Sequence, residues 1–130
     1  MFVCGDPKPP IPEPTGPALE PWTLLVSSLQ NSCYFWLERG SSEICLGEEA
    51  RRTWVDFSSR VRDETEADSF CAFVTRGLGE HVLKIAMVWA ALEKSDTIRP
   101  SHMEAAVSFG DFLFQSVVHI FSLASNLAEG

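Results

Sequence analysis

The sequence predicts a mainly α-helical fold: a small bundle of about four to five helices, with one possible short β-hairpin and an extended N-terminal strap. Apolar residues recur at intervals of three to four residues over most of the chain, which is typical of helices with a buried side. The chain of 130 residues is 45% hydrophobic and 11% aromatic, enough to build one packed domain. Its prolines are concentrated at the N-terminus.

The strap comprises residues 1–21, which hold seven of the eight prolines. Proline fixes φ and lacks an amide donor, so this density predicts an extended, polyproline-like linker. We therefore divide the chain into a proline-rich linker or strap over 1–21 and a helical domain over 22–130, which the resemblance described below implies is lid-like. The same prolines are also compatible with a motif that binds a proline-reading groove.

Two elements follow the strap. Apolar residues at 22, 25, 26 and 29 have the spacing of one helix face. The apolar runs Cys-Tyr-Phe-Trp-Leu and Glu-Ile-Cys-Leu-Gly are separated by Glu-Arg-Gly-Ser-Ser, which predicts a small hairpin.

The next segment, 48–64, predicts an amphipathic surface helix. One apolar stripe repeats along it at intervals of three to four residues, formed by Ala50, Trp54, Phe57 and Val61. Its arginines indicate a solvated face first and a phosphate-binding patch only second. A short helix over 65–75 should follow, capped by Thr65 with Asp68 and burying Ala67, Phe70, Cys71 and Val74.

The segment 79–94 is apolar nearly all the way round, which predicts a central helix covered on most sides. Lys84 stands four residues after Glu80, the favourable orientation for an ion pair along a helix. The alternative is that Lys84 and His81, three residues apart, face an external anion or an acidic partner.

The longest predicted helix spans 101–127 and opens with a capping box of Ser101 and Glu104. Its polar residues form one narrow line, so about three quarters of its surface needs cover, more than a bundle of this size can supply. We therefore expect a partner, or another part of the same polypeptide, to cover it. The expected packing surface consists of Trp89, Met103, Phe109, Phe112, Phe114, Val117 and Phe121.

The net charge of −8 argues against direct nucleic-acid binding and against anionic membrane surfaces. The cysteines at 4, 33, 45 and 71 have no paired spacing, so we expect four buried, reduced thiols in a cytoplasmic protein and no metal site. The chain has no phosphate-binding loop and no hydrolase or metalloprotease motif. We expect no cofactor and no catalysis by this chain alone.

Three segments carry a resemblance to a known family: 2–14 (FVCGDPKPPIPEP), 44–57 (ICLGEEARRTWVDF) and 76–113 (RGLGEHVLKIAMVWAALEKSDTIRPSHMEAAVSFGDFL). Together they resemble the C-terminal part of the primase-helicase-like P-loop ATPases of phages and plasmids, the YfjI type. The resemblance implies an all-helical lid packed on a RecA-like core, in a protein that acts in replication or mobility of an element.

By position, the resemblance places Arg76, His81 and Lys84 near a nucleotide phosphate or a neighbouring subunit. It implies ATP and Mg²⁺ only when the chain is joined to a P-loop core, in cis or in trans, because the nucleotide-binding core is missing here. We therefore expect a fragment or split product. The alternative is a small helical adaptor that forms a homo-oligomer or binds a partner protein through its apolar C-terminal helix. The sequence leaves the nucleic-acid substrate and the oligomeric state open.

Overall fold

The computed structural model describes residues 19–40, 42–65 and 69–128, with side chains at 20–40, 42–65 and 71–122. These residues form five helices and two short strands, which confirms the mainly α-helical prediction. The proline-rich strap lies outside the described residues except at its end, where 19–21 open the first helix. The elements are α1 (Leu19–Arg39), β1 (Cys45–Leu46), α2 (Glu48–Thr65), α3 (Ser69–Thr75), α4 (Leu78–Leu92), β2 (Thr97–Ile98) and α5 (Pro100–Ala128).

The core lies between α2, α4 and α5, which pack on one another. Small residues let α4 and α5 approach closely: Ala86 and Ala90 on α4 and Ala106 on α5 are fully buried, and Gly110 of α5 lies against Val82 of α4. The predicted stripe of α2 is confirmed, with Trp54 half-buried at its edge. The buried apolar core comprises Ala50, Phe57, Val61, Val82, Ala86, Ala90, Ile98, Met103, Ala106 and Phe114.

The predicted hairpin is wrong. Residues 33–37 continue α1, and β1 pairs instead with β2, in parallel, with Cys45 beside Thr97 and Leu46 beside Ile98. The amide of Cys45 donates to the carbonyl of Asp96 at 2.8 Å. This pairing joins segments about fifty residues apart, so no local turn signal marks it.

Helix α1 is longer than predicted, and its C-terminal half attaches to the end of α4. The Ser32 hydroxyl donates to the Leu92 carbonyl, and the Trp36 indole N–H donates to the Ala91 carbonyl, both at 2.8 Å. The last carbonyls of a helix lack their usual partners within it, and α1 supplies side-chain donors to two of them, at Leu92 and at Ala91, which also accepts the Lys94 amide. This use of Trp36 favours helix over strand at a β-prone run.

The N-terminus of α5 is capped by His102 and not by the predicted pair of Ser101 and Glu104. Arg99 precedes the helix and Pro100 occupies its first position, where the missing amide costs nothing. The Arg99 amide donates to Nδ1 of His102, three residues on, as in a capping box. The predicted cap of Ser101 and Glu104 is therefore wrong: Ser101 lies one position inside the helix.

The predicted cap of α3 is also altered. Thr65 is the last residue of α2, and its hydroxyl donates back to Val61 at 2.8 Å, while Asp68 lies outside the described residues. On α3, Cys71 is buried as predicted but Val74 is exposed. Ala67 lies outside the described residues, and so does the side chain of Phe70.

The prediction of four buried cysteines is wrong for two of them. Cys71 is buried, whereas Cys33 on α1 and Cys45 on β1 are exposed, and none of these three forms a disulfide in the described part of the chain. Cys4 lies outside the described residues.

Candidate partner-binding surface

The described part of the chain exposes more large apolar side chains than its core contains. Sixteen are exposed, whereas eleven apolar residues are buried. Twelve of the sixteen lie on α1 and α4 or on the first half of α5. Scattered exposed leucines are ordinary, but contiguous apolar patches mark binding surfaces.

Part of this surface is a shallow hollow of about 540 Å³ beside α4 and α5. Residues at intervals of three to four on α4 line it, because that spacing repeats one face of a helix. Leu113 closes it from α5, and Phe109, one turn earlier, extends the apolar surface along that helix. The α4 lining comprises His81, Lys84, Ile85, Val88, Trp89 and Leu92.

A second hollow, of about 650 Å³, lies between α1 and α4. Val88 and Leu92 line both hollows, so the two are continuous. From α1 it is lined by Cys33, Trp36 and Leu37. We call the joined surface the apolar face: the exposed side of α4 with Leu113, Phe109 and Phe112 on one flank and α1 on the other.

The predicted packing surface divides between this face and the core. Trp89 is 47% exposed, Phe109 44% and Phe112 49%, so these three can meet a partner. Met103 is 0% exposed and Phe114 3%. Assigning these two to a partner surface was wrong: both belong to the core between α2, α4 and α5, where the chain's own helices bury them.

Val117 and Phe121, the remaining members of the predicted packing surface, are half-buried on the second half of α5. The residues that sequence reasoning missed are Ile85, Val88 and Leu92 on α4 and Leu37 on α1. The nearly unbroken apolar circumference of α4 was the signal for the first three. It indicated cover on most sides, but in this chain one whole side stays open.

The basic candidates do not form one cluster. The predicted ion pair is present, with Lys84 Nζ 2.7 Å from Glu80 Oε1. The hydrogen bond from Lys84 lowers the pKa of the Glu80 carboxyl. Lys84 and His81 share the rim of the apolar face, whereas Arg76 lines a separate hollow of about 670 Å³ beside α2, α3 and the start of α4.

The most buried titratable group links α4 to α5. The His102 side chain is 2% exposed, and its Nε2 lies 2.9 Å from Glu93 Oε2. Because Nδ1 accepts the Arg99 amide, the ring proton sits on Nε2 and is donated to the carboxylate. This bond lowers the pKa of Glu93. Both ring nitrogens are used, so His102 is a structural link.

Over the described ranges, no three His, Cys, Asp or Glu side chains lie together as a metal site would require. Within the same ranges, Pro100–Ser122 of α5 is long and apolar enough to span a membrane, with 17% of its most apolar window buried. One such helix is weak evidence for a span, and Asp111 within it is ion-paired with Arg60 of α2.

The chain was also compared with known proteins. No family model, curated protein or solved structure matches it.

Proposed function

We propose that the chain is a non-catalytic helical subdomain, lid-like in form, that works by packing the α4–α5 part of its apolar face against a second protein body. The second body is the P-loop core of a primase-helicase-like ATPase, as the resemblance implies, and the cysteine usage supports a cytoplasmic location for the pair. The observation that carries the proposal is the exposed apolar side of α4, continued by Phe109 and Phe112.

Burial energetics support this. Each square ångström of apolar surface removed from water contributes roughly 25 cal/mol, and aromatic side chains contribute most of the binding energy at interfaces. Trp89, Phe109 and Phe112 are each nearly half exposed. Three such aromatics beside an aliphatic hollow provide the anchors of a protein interface, whereas a free monomer gains nothing from exposing them.

The rim supports a partner with an acidic margin. Lys84 and His81 lie at one end of the hollow, and the Lys84 side chain is 59% exposed even while paired with Glu80. An acidic group of the partner could replace or share this ion pair. In this proposal the two rim residues position the partner, and Arg76, on a different side of α4, is not part of the docking contact.

The test is a binding titration. A P-loop core polypeptide from the same genome is titrated calorimetrically with the chain and with Trp89→Glu and Phe112→Glu variants. We expect a 1:1 complex whose affinity falls about thirtyfold or more in each variant, as for interface anchors. Phe73→Glu is the matched control, because Phe73 is exposed on α3 and lies outside the apolar face. An absent complex, or equal losses in all three variants, would contradict the proposal.

A further inference from the structure

Helix α1 carries an apolar stripe that the rest of the described chain leaves open. The stripe is formed by Trp22, Val26, Leu29, Cys33 and Leu37, spaced by four, three, four and four residues, so it runs along one side of the helix. Val26 is half-buried and the other four are exposed. The hydrogen bonds from Ser32 and Trp36 to α4 leave from a neighbouring side, so the stripe is not used in attaching α1.

The two halves of α1 differ in their surroundings. The C-terminal half lies along α4, and the two form the apolar groove that holds Cys33, Leu37, Val88 and Leu92. Between residues 20 and 31, every side chain except Val26 is exposed. Helix α1 therefore provides an apolar ridge, formed by Trp22, Val26 and Leu29, in its first half. Beside its second half lies the apolar groove shared with α4.

We propose that this ridge and groove join two copies of the chain, with α1 of one copy antiparallel to α1 of the other about a two-fold axis near Leu29. Antiparallel pairing around that point sets Trp22 opposite the partner copy's Leu37 and Val26 opposite the partner copy's Cys33. The ridge of each copy then enters the groove of the other, which is the self-complementarity that a two-fold interface requires.

The area is adequate for a dimer of modest affinity. From the exposed fractions of Trp22, Leu29, Leu37 and Val88, together with Leu25 beside the stripe one turn before Leu29, the ridge and groove present on the order of 400 Å² of apolar surface per copy. A standard interface buries about 800 Å² per partner, of which roughly 500 Å² is apolar. The proposed interface is therefore at the small end of the size range of specific interfaces, and we expect a dissociation constant in the micromolar range.

This interface differs from the docking contact proposed above. It uses α1 and the groove beside α4, which adjoins the docking surface at Val88 and Leu92, while Trp89, Phe109 and Phe112 stay open. Substitutions on α1 should therefore change the oligomeric state without abolishing binding of a P-loop core, and those at Trp89 should do the reverse. Failure of one proposal leaves the other standing.

The first test is sedimentation velocity of the full chain between about 1 and 500 μM, a range that brackets micromolar dissociation. We expect a monomer–dimer equilibrium that Leu29→Glu shifts at least about tenfold towards monomer. Leu24→Glu is the control, because Leu24 is 67% exposed yet lies about 140° around the helix from Leu29. At concentrations at which the unmodified chain is monomeric, circular dichroism melting should be unchanged in both variants, since neither side chain is in the core.

The second test fixes the orientation by disulfide formation. In a Val26→Cys variant, mild oxidation should join the introduced thiol to the partner copy's Cys33 and yield a covalent dimer, with Cys33→Ser abolishing that bond. The two positions are about 10.5 Å apart along one helix, too far for a bond within a chain. A chain that stays monomeric throughout, a dimer equally sensitive to Leu24→Glu, or crosslinks only between identical positions would overturn the proposal.

Discussion

Gly110 of α5 lies directly against the ring of Phe57 of α2. A Cβ at Gly110 would stand 2.8 Å from Phe57 Cζ, closer than side chains tolerate, and would also meet Val82 of α4. The three core helices therefore cross at a position that only glycine fits. This crossing fixes which side of α5 faces inward, and so which apolar residues remain outside.

Replacing Gly110 with alanine should lower the free energy of unfolding by about 1–2 kcal/mol. Overpacking costs about 1–3 kcal/mol, and the better helix propensity of alanine returns up to about 1 kcal/mol. Urea denaturation measures the change. Gln115→Ala, at an exposed position of the same helix, should show no loss. A stabilised Gly110→Ala variant would contradict the packing described.

Replacing Trp36 with phenylalanine should loosen α1 while the body stays folded. The variant loses the indole N–H that donates to Ala91 at 2.8 Å but keeps a ring beside the Arg39 guanidinium. A neutral hydrogen bond contributes about 1 kcal/mol, so amide exchange in α1 should accelerate several-fold with α2, α4 and α5 unaffected. Leu24→Ala, at an exposed site of α1 away from the proposed dimer contact, is the control; equal acceleration in both variants would exclude the anchoring role.

The Lys94→Gly variant should be more stable to unfolding than the Lys94→Ala variant. Lys94 has φ of 57°, and its amide and that of Ser95 donate to Ala91 and Ala90, which makes it the left-handed residue that ends α4. Both variants lose the ammonium group over the Phe35 ring, so their difference isolates the backbone. The free energy of unfolding of the glycine variant should exceed that of the alanine variant by about 1 kcal/mol, measured by thermal or urea denaturation. Equal stabilities would contradict the assigned conformation.

The Glu93 carboxylate should make the fold sensitive to acid. Its pKa is lowered in the folded chain, chiefly by the His102 hydrogen bond. A lowered pKa means that the folded chain favours the ionised form of Glu93. The stabilisation by this carboxylate is therefore fully present above its pKa in the unfolded chain and is lost as the pH falls through its pKa in the folded chain. In Glu93→Gln, unfolding free energy should therefore decline less steeply between neutral pH and pH values below about 4.

The control for this pH series is Glu104→Gln, which removes an exposed carboxylate of α5 that has no ion pair among the described residues. Its acid profile should match that of the unmodified chain. If Glu93→Gln keeps the full acid sensitivity, the link between α4 and α5 through His102 does not stabilise the fold as described.

Much of the fold follows from periodicity. The stripe of α2, the span of α4 and the length of α5 were predicted because each repeats apolar residues at helical spacing over many residues. The hairpin was wrong because its first run, although rich in strand-forming residues, gains more from continuing α1 to the end of α4. Its true strand partner, Thr97–Ile98, is remote in the chain.

The candidate surface was predictable only in outline. Periodicity showed that α5 is apolar over most of its circumference, but not which part turns inward. That choice depends on where small residues allow the helices to approach closely. Ala106 lies in the core with Ala86 and Ala90, and Gly110 lies against Val82 and Phe57. With this side of α5 facing inward, Met103 and Phe114 are buried, whereas Phe109 and Phe112 remain exposed.

The most direct measurement of the central claim is hydroxyl-radical footprinting of the chain with and without a P-loop core polypeptide. The account predicts that oxidation of Trp89 and Phe112 falls at least about tenfold in the complex, as a fully desolvated interface centre requires, while that of Phe73 is unchanged. Equal oxidation of Trp89 and Phe112 in the presence and absence of every core tested would show that the apolar face is not where this chain meets another protein.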